Sequence, residues 1–243
     1  MLEKKITVAS FDVYPNSTLK PSALQRIMQQ IAREDCDQIG CTYNAMREVN
    51  MVFVLTKLGI DIKKPIFAYD ELTVRSYHNK VSGITSVREF EFFRDGEEII
   101  HATTQWVIVQ FDTRKLVRPR EFPFDLTEHN IDCATIDIPR AIVSDGELEE
   151  RGRRVVRLSD LDENDHLNNC VYSDISMDFI DSYNRTSNYV NHLKIIFRHE
   201  ARINDSLTVS VGKNGSLNTV FAYNETTDMP CFEAEFGFGT LMA

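Results

Sequence analysis

The sequence has no long hydrophobic run and little that marks an export signal. No apolar stretch reaches the roughly 18 residues that a transmembrane helix needs. The first residues, MLEKKITV, lack the apolar core of a secretory signal peptide. We therefore expect a cytoplasmic protein without a membrane partner.

Cysteine is also scarce, and its spacing is uninformative. The five cysteines are odd in number and form no C-x-x-C pair, which argues against a disulfide framework and against a zinc knuckle. The six histidines are scattered, and the one close pair, His192 and His199, lacks helical metal-ligand spacing. The sequence therefore predicts reduced thiols, no metal and no cofactor.

Acidic residues outnumber basic ones, and the net charge is −10. A surface of that sign repels phosphate, so nucleic acid is not expected as a partner. Basic residues are nevertheless concentrated in two stretches, which are either ordinary solvated charge or a docking patch for an acidic partner. The stretches contain Arg114, Lys115, Arg118 and Arg120, followed by Arg151, Arg153, Arg154 and Arg157.

The 243 residues are 42% hydrophobic and 26% charged, which is ordinary for a globular protein with one large domain or two small ones. Each half shows a short strand-like segment, a polar loop, one amphipathic helix and then only strand signals. The apolar stripes that predict the two helices are Leu24, Ile27, Met28 and Ile31 in the first half, and Val171, Ile175 and Phe179 in the second.

The strand signals also repeat between the halves. The segment DELTV at 70–74 matches DSLTV at 205–209, with a constant offset. Asp95-Gly96 and Asn214-Gly215 are typical of hairpin turns between strands. The periodicity disappears between the two copies, where proline recurs. We divide the chain into a first unit at 1–120, a linker at 121–150 and a second unit at 151–243.

One helix followed by about five antiparallel strands is an α+β unit, in which the sheet must curl around the helix to bury its apolar stripe. That arrangement is a hot-dog fold. Two copies predict a double hot-dog, with two helix-wrapped antiparallel sheets in tandem.

The clearest chemical feature is the segment LDENDHLNNCVY at 161–172, directly before the second helix. In an extended segment, Asp162, Asn164 and His166 would project to one side and could activate a water molecule. The same residue types also occur in loops that only hydrogen-bond their own backbone. The corresponding stretch of the first copy, 12–18, contains no histidine, so we expect one active site per chain.

The chain resembles the acyl-acyl carrier protein thioesterases, which are double hot-dog enzymes. The most specific match is SDLDENDHLNNCVY at 159–172, which is similar to the D-x-N-x-H-x-N-N-x-x-Y stretch of that family. FRHEA at 197–201 and WVIVQFDTRKLVRP at 106–119 resemble two family strands, in the expected order.

The resemblance implies a catalytic group of Asp162, Asn164, His166 and Glu200. Taken alone, Glu200 would be interpreted as an exposed carboxylate paired with Arg198 or Arg202. Many plant members have a cysteine where this chain has Ala201, so the resemblance implies attack by water rather than by that thiol. We expect Glu200 and His166 to activate the water, Asn164 to hold the carbonyl oxygen, and Asp162 to orient the imidazole or the amide.

The resemblance also implies a partner, the acyl carrier protein with its phosphopantetheine-linked acyl chain. Arg114, Lys115, Arg118, Arg151, Arg153 and Arg154 are the candidate contacts for it. Three alternatives stay open: an acyl-CoA thioesterase of the same fold, a dehydratase, and a non-catalytic module that binds acyl thioesters. The sequence is compatible with a monomer or a homodimer.

Overall fold

The computed structural model describes residues 1–241, so the last two residues of the predicted second unit, Met242 and Ala243, lie outside the described part. The described helices are α1 (Pro21–Gln38), α2 (Tyr43–Glu48) and α3 (Val171–Phe179). The strands are β1 (Leu2–Thr7), β2 (Met51–Ile62), β3 (Glu71–Ser82), β4 (Thr85–Arg94), β5 (Glu97–Gln110), β6 (Leu116–Val117), β7 (Glu149–Val155), β8 (Asn188–Phe197), β9 (Ser206–Asn214), β10 (Leu217–Asn224) and β11 (Met229–Thr240).

The strands form one antiparallel sheet in the order β1-β3-β4-β5-β2-β8-β11-β10-β9-β7, with β6 on β5. The order within the first half is repeated in reverse by the second half, which confirms the double hot-dog prediction. One detail differs from the expected two separate sheets. Strands β2 and β8 pair with each other, from Lys57 opposite Ile196 to Asp61 opposite His192, so the two sheets are continuous.

Both long helices lie on one face of this sheet because each has an apolar stripe to bury. Leu24, Met28 and Ile31 of α1 are buried, as is Ile175 of α3. They share one core with residues of both halves, including Phe90 and Phe232. Helix α3 ends at Phe179, the last residue of the predicted apolar stripe, and the short helix α2 was not predicted. No helix within residues 1–241 has the length and apolarity needed to cross a membrane.

The hairpins follow the predicted turn residues. Asp95 and Gly96 join β4 to β5 with φ values of 53° and 81°, and Gly215 follows β9 with φ of 56°. Positive φ is the region that glycine and aspartate tolerate best. The local sequence therefore determines the register at these two points.

The predicted linker is an ordered strap, residues 122–148, that lies across the sheet on the face opposite the helices. At one end Ile131 N donates to Asn79 Oδ1 of β3 (2.8 Å). At the other end Asp145 N donates to Lys213 O of β9 (2.7 Å). Between them Ile136, Ile138 and Ile142 form a second apolar cluster with Ile196 and Phe221. The division of the chain at 120 and 150 stays a prediction, since the strap packs on strands of both halves.

Candidate active site

The loop before α3 is a tight turn rather than an extended segment. Leu161 and Leu167 pair across it, and Asp165 has a left-handed φ of 62°. Asp162 Oδ1 accepts hydrogen bonds from the backbone N–H groups of Asn164 (2.8 Å) and His166 (3.3 Å). No hydrogen bond within residues 1–241 joins the Asp162 carboxylate to the imidazole or to the Asn164 side-chain amide, so its expected orienting role stays a prediction. Its carboxylate instead holds the backbone of the loop, as is common for aspartate in turns.

The loop brings His166 to Glu200, which lies between β8 and β9 rather than within a strand. Leu167 N donates to Ala201 O (2.8 Å) and joins the two segments. His166 Nε2 is 3.2 Å from Glu200 Oε1, although the residues are far apart in sequence. His166 Nδ1 makes no protein hydrogen bond within residues 1–241. The imidazole is thus held by a carboxylate at one nitrogen.

Two arginines complete this cluster. Arg202 Nη2 lies 2.9 Å from Glu200 Oε1 and 3.1 Å from His166 Nε2. Arg114 Nη2, from the first half, lies 3.1 Å from Glu200 Oε2 and 3.4 Å from His166 Nε2. The hydrogen bond from His166 and the two guanidinium groups lower the pKa of Glu200 to about 2. Glu200 is therefore ionised at any physiological pH, even though it is partly exposed.

Arg114, which was predicted as a carrier-protein contact, also reaches the ionic cluster of His166 and Glu200. Its φ of 57° marks a sharp turn after β5, and this turn directs the side chain toward the second half. No sequence signal distinguished Arg114 from its basic neighbours. Arg202 appeared in the sequence analysis only as a neutralising partner of Glu200, and the other suggested partner, Arg198, pairs with Glu233 instead (2.7 Å).

The first half also contributes Tyr43, which the sequence did not single out. Its hydroxyl, at the start of α2, donates to Asn164 Oδ1 (3.2 Å). Because Oδ1 is engaged, the amide nitrogen of Asn164 is left free to donate elsewhere. A donor that is held in place in this way is what an oxyanion requires.

Asn164 faces a cavity of about 490 Å³, and Asp162 and Asn168 of the same loop also line it. The remaining lining residues belong mostly to the first half, among them Trp106. Met28 and Ile31 of the α1 stripe are buried in the core and do not line the cavity. His166 and Glu200 do not line the cavity either, so Asn164 stands between the ionic cluster and the cavity.

The first half contains a structural copy of the reactive loop. Val13 pairs with Leu19 as Leu161 pairs with Leu167, and Ser17 has φ of 65° where Asp165 has 62°. The residue at the position of His166 is Thr18, whose hydroxyl donates to Asn16 Oδ1 (2.7 Å). The duplication is therefore complete in backbone geometry, but the first copy has no imidazole.

The second basic stretch is neutralised by acidic neighbours. Arg154 makes a two-pronged ion pair with Asp160 at 2.8 Å, Arg151 pairs with Asp181, and Arg153 is 3.0 Å from Glu225. In contrast, Lys115 and Arg118 are exposed and form no ion pair within the described residues.

A cluster of possible metal ligands lies elsewhere, beneath the strap. Ligand atoms of Glu89, His101 and Cys133 are within 4.8 Å of one another. The Glu89 carboxylate already accepts hydrogen bonds from Thr103 (2.6 Å) and Thr135 (2.9 Å). The hydrogen bonds of this cluster thus hold the strap against the sheet. The cluster is separate from the reactive loop.

Comparison with known proteins identifies the family. Residues 1–122 match the family model for the acyl-ACP thioesterase N-terminal domain, and residues 144–234 match that for the C-terminal domain. The chain is 25% identical to oleoyl-acyl carrier protein thioesterase 2, chloroplastic, of Arabidopsis thaliana, over 93% of this chain and 67% of that protein. It is 22% identical to oleoyl-acyl carrier protein thioesterase 1 of the same plant, over 89% and 66%. The chain thus spans about two thirds of the length of these plant relatives.

Solved structures show the same fold. An acyl-ACP thioesterase from Bacteroides thetaiotaomicron superimposes with a TM-score of 0.87 at 18% identity, covering 98% of this chain and 97% of the other. A 12:0-ACP thioesterase from Umbellularia californica gives a TM-score of 0.77 at 15% identity, covering 99% and 97%. With both of its domain models matched in order along one chain, the protein belongs to the acyl-ACP thioesterase family, whose members are thioester hydrolases.

Proposed function

We propose that this chain hydrolyses fatty acyl-acyl carrier protein to a free fatty acid and the holo-carrier protein, with water as the nucleophile and Asn164, His166 and Glu200 as the catalytic residues. The observation that supports this proposal most directly is the 3.2 Å contact between His166 and Glu200, next to an asparagine that faces a cavity. The family match supports the substrate class.

The ionised state of Glu200 favours His166 as the base. A carboxylate whose pKa is about 2 is a weak proton acceptor near neutral pH, and histidine is the side chain that most often serves as a general base. The His166 ring nitrogen that carries no proton is the one that accepts a proton from water. Glu200 then performs the orienting role that was expected of Asp162, and Asp162 acts only as a positioning residue of the loop.

The proposed hydrolysis has two steps, attack by water and collapse of a tetrahedral intermediate. Water oxygen attacks the thioester carbon while His166 takes one water proton. The carbonyl oxygen becomes an oxyanion, which the Asn164 amide and backbone N–H groups at the start of α3 stabilise. When the tetrahedral intermediate collapses, the carbon–sulfur bond breaks and the phosphopantetheine sulfur leaves with the proton from His166.

A cysteine nucleophile is not part of this proposal. Position 201 is an alanine. The two cysteines of the second half, Cys170 and Cys231, are buried, and burial raises the pKa of each to about 12. A thiol with so high a pKa carries almost no thiolate at neutral pH.

The acyl chain is proposed to occupy the cavity in the first half, and the carrier protein to dock on Lys115 and Arg118. Both side chains are exposed and lie close in sequence to Arg114, so a partner held there would sit beside the reactive cluster. Local positive charge of this kind attracts an acidic partner even when the net charge is −10.

The docking surface can be tested by reversing two charges. K115E/R118E should raise KM for an acyl carrier protein substrate about tenfold at low salt, and leave hydrolysis of a short acyl thioester without the carrier unchanged. K80E, another exposed lysine, is the matched control. An equal effect on both substrates would contradict the docking surface.

The catalytic assignment is tested by thiol release from acyl carrier protein, acyl-CoA and short thioesters with the same acyl group. His166→Ala and Glu200→Gln should lose release by at least about a hundredfold while retaining the circular dichroism spectrum of the wild type. Equal turnover of the CoA ester would favour the acyl-CoA alternative. Dehydration of a 3-hydroxyacyl chain without thiol release would favour a dehydratase, and binding without either reaction would favour a non-catalytic module.

We also propose that the protein acts in the cytoplasm as a monomer or homodimer. The five cysteines within the described residues are free thiols, which is typical of a reducing compartment. The β2–β8 pairing joins two hot-dog units within one chain, so a second chain is not needed to complete the sheet. Cell fractionation and light scattering test the two parts of this proposal.

A further inference from the structure

Part of the cavity wall is polar, which is unusual for a space that holds a hydrocarbon chain. His78 of β3, with Ser86 and Arg88 of β4, lines the cavity. The three residues are only 4%, 7% and 6% exposed. Because buried polar groups are costly unless they are hydrogen-bonded, each of them requires a partner.

Arg88 has its partners within the protein. Its Nη1 donates to Asp35 Oδ2 (2.8 Å) and to Ser76 Oγ (2.9 Å). The charge is thus paired and the guanidinium is held in place. Arg88 therefore needs no ligand as a hydrogen-bond partner.

His78 is different, because neither of its buried ring nitrogens has a hydrogen-bond partner within residues 1–241. The Thr127 backbone lies near the ring without hydrogen-bonding geometry. Burial, with the nearby Arg88 charge, lowers the pKa of His78, so the ring is neutral and offers one N–H donor and one bare acceptor.

The backbone that carries the His78 ring is also held in place. The β3–β4 register shifts between His78 and Lys80, which is a bulge of the kind that redirects side chains. His129 N of the strap donates to His78 O (3.1 Å) and fixes the backbone there. An unpaired imidazole on a fixed backbone is a preorganised hydrogen-bonding group for whatever fills the cavity.

We propose that the cavity accepts an acyl chain that carries a hydroxyl group away from the thioester, and that His78 selects this hydroxyl by hydrogen bonding. The inference rests on the proposed function, since it concerns the acyl chain that this site would hydrolyse. A hydroxyl both donates and accepts, so it can pair with whichever ring nitrogen faces the chain. An oxo group only accepts and would require the N–H to face it.

The expected discrimination follows from the cost of leaving His78 unpaired. An unsubstituted chain that fills the cavity excludes water from the ring and supplies no partner. A site built to hydrogen-bond a substrate hydroxyl rejects the analogue without it more strongly than an apolar pocket rejects an added hydroxyl. We therefore expect the best hydroxylated isomer to exceed the unsubstituted chain roughly tenfold in kcat/KM.

The experiment uses carrier-protein substrates of one chain length, chosen as the length hydrolysed fastest in an unsubstituted series. The panel contains the unsubstituted chain and isomers with one hydroxyl at each successive carbon. The wild type is compared with His78→Phe, which keeps an aromatic ring but no hydrogen bond, and with His78→Gln, which keeps a donor and an acceptor. The readout is the ratio of kcat/KM for each isomer to that for the unsubstituted chain.

We expect one distal isomer to give a ratio of about ten in the wild type, a ratio near or below one in His78→Phe, and partial recovery in His78→Gln. A flat panel in the wild type would overturn the inference, since it would mean that the ring is satisfied by water or is not reached. A preference that survives in His78→Phe, or one confined to carbons next to the thioester, would overturn it as well.

Binding separates this inference from the catalytic proposal. Free hydroxylated fatty acid should raise the melting temperature of the wild type more than the unsubstituted acid does, and this difference should vanish in His78→Phe. If no thioester is hydrolysed but the difference is present, the proposed function fails and the inference stands. If thioesters are hydrolysed and the difference is absent, the inference fails alone.

Discussion

The Tyr43 hydroxyl lies 3.2 Å from Asn164 Oδ1, and this contact joins the two halves of the chain at the reactive loop. The histidine and glutamate come from the second copy, whereas the residue that orients the amide comes from the first. The duplicated units are thus not independent, although only one of them contains an imidazole at its loop.

Tyr43→Phe should lower kcat roughly fivefold to tenfold, because loss of one hydrogen bond allows the Asn164 amide to rotate away from the oxyanion. KM should change little, since the ring itself remains. Steady-state hydrolysis of acyl carrier protein measures both constants. Tyr69→Phe is the control, because Tyr69 is 72% exposed. A rise in KM alone would show that Tyr43 contacts the acyl chain instead.

Arg114→Met should lower kcat/KM several-fold for carrier-protein and short thioester substrates alike, because it removes a cation from Glu200. Loss of a nearby positive charge raises the pKa of a carboxyl, so that of Glu200 should rise from about 2. Arg118→Met is the matched control and should affect only the carrier-protein substrate. An effect of Arg114→Met on the carrier substrate alone would return Arg114 to a docking role.

His192 lies between the two halves, with Nδ1 2.7 Å from Asp61 Oδ1 and Nε2 2.9 Å from Glu235 Oε1. Burial lowers the pKa of His192, but hydrogen bonds to the two carboxylates outweigh this and raise it from 6.5 to about 9. A raised pKa means that the stabilisation is complete below pH 6.5 and is lost as the pH rises through about 9.

His192→Gln should therefore reduce the free energy of unfolding by roughly 1–3 kcal/mol at pH 6.5, and by much less at pH 10. Urea denaturation at the two pH values measures this difference. His199→Gln, whose ring contacts only the Pro230 carbonyl (2.8 Å), provides the control. A loss of stability that does not depend on pH would contradict the ionic bridge.

Gly59→Ala should destabilise the protein by roughly 1–3 kcal/mol, because the strap leaves no room for a side chain there. A Cβ at Gly59 would lie 2.8 Å from Ile136 Cγ2. Thermal unfolding measures the loss, and limited proteolysis should show faster cleavage within residues 122–148. Gly146→Ala is the control, because a Cβ there has no neighbour within 4 Å. Unchanged stability of Gly59→Ala would mean that the strap shifts freely.

The features that depend on local pattern could be predicted from the sequence. Helical stripes at Leu24 and Ile175 and the turn at Asp95-Gly96 require only the spacing of neighbouring residues, and the repeat of L-T-V after an aspartate required only a comparison of the chain with itself. The absence of a histidine at Thr18 likewise needed no coordinates. The D-x-N-x-H stretch marked the right loop, although the extended geometry inferred for it was wrong, because Asp165 turns the backbone.

Only the tertiary structure decided which distant groups meet. Tyr43 and Asn164 are 121 residues apart, and Arg114 and His166 are 52 apart, so no local periodicity connects them. The carboxylate of Asp162 accepts hydrogen bonds from the backbone of its own loop, because a tight turn brings those N–H groups close to it. The pKa of Glu200 and the unpaired ring of His78 arise from charges and burial that separate segments of the chain supply, and these exist only once the sheet has closed around its helices.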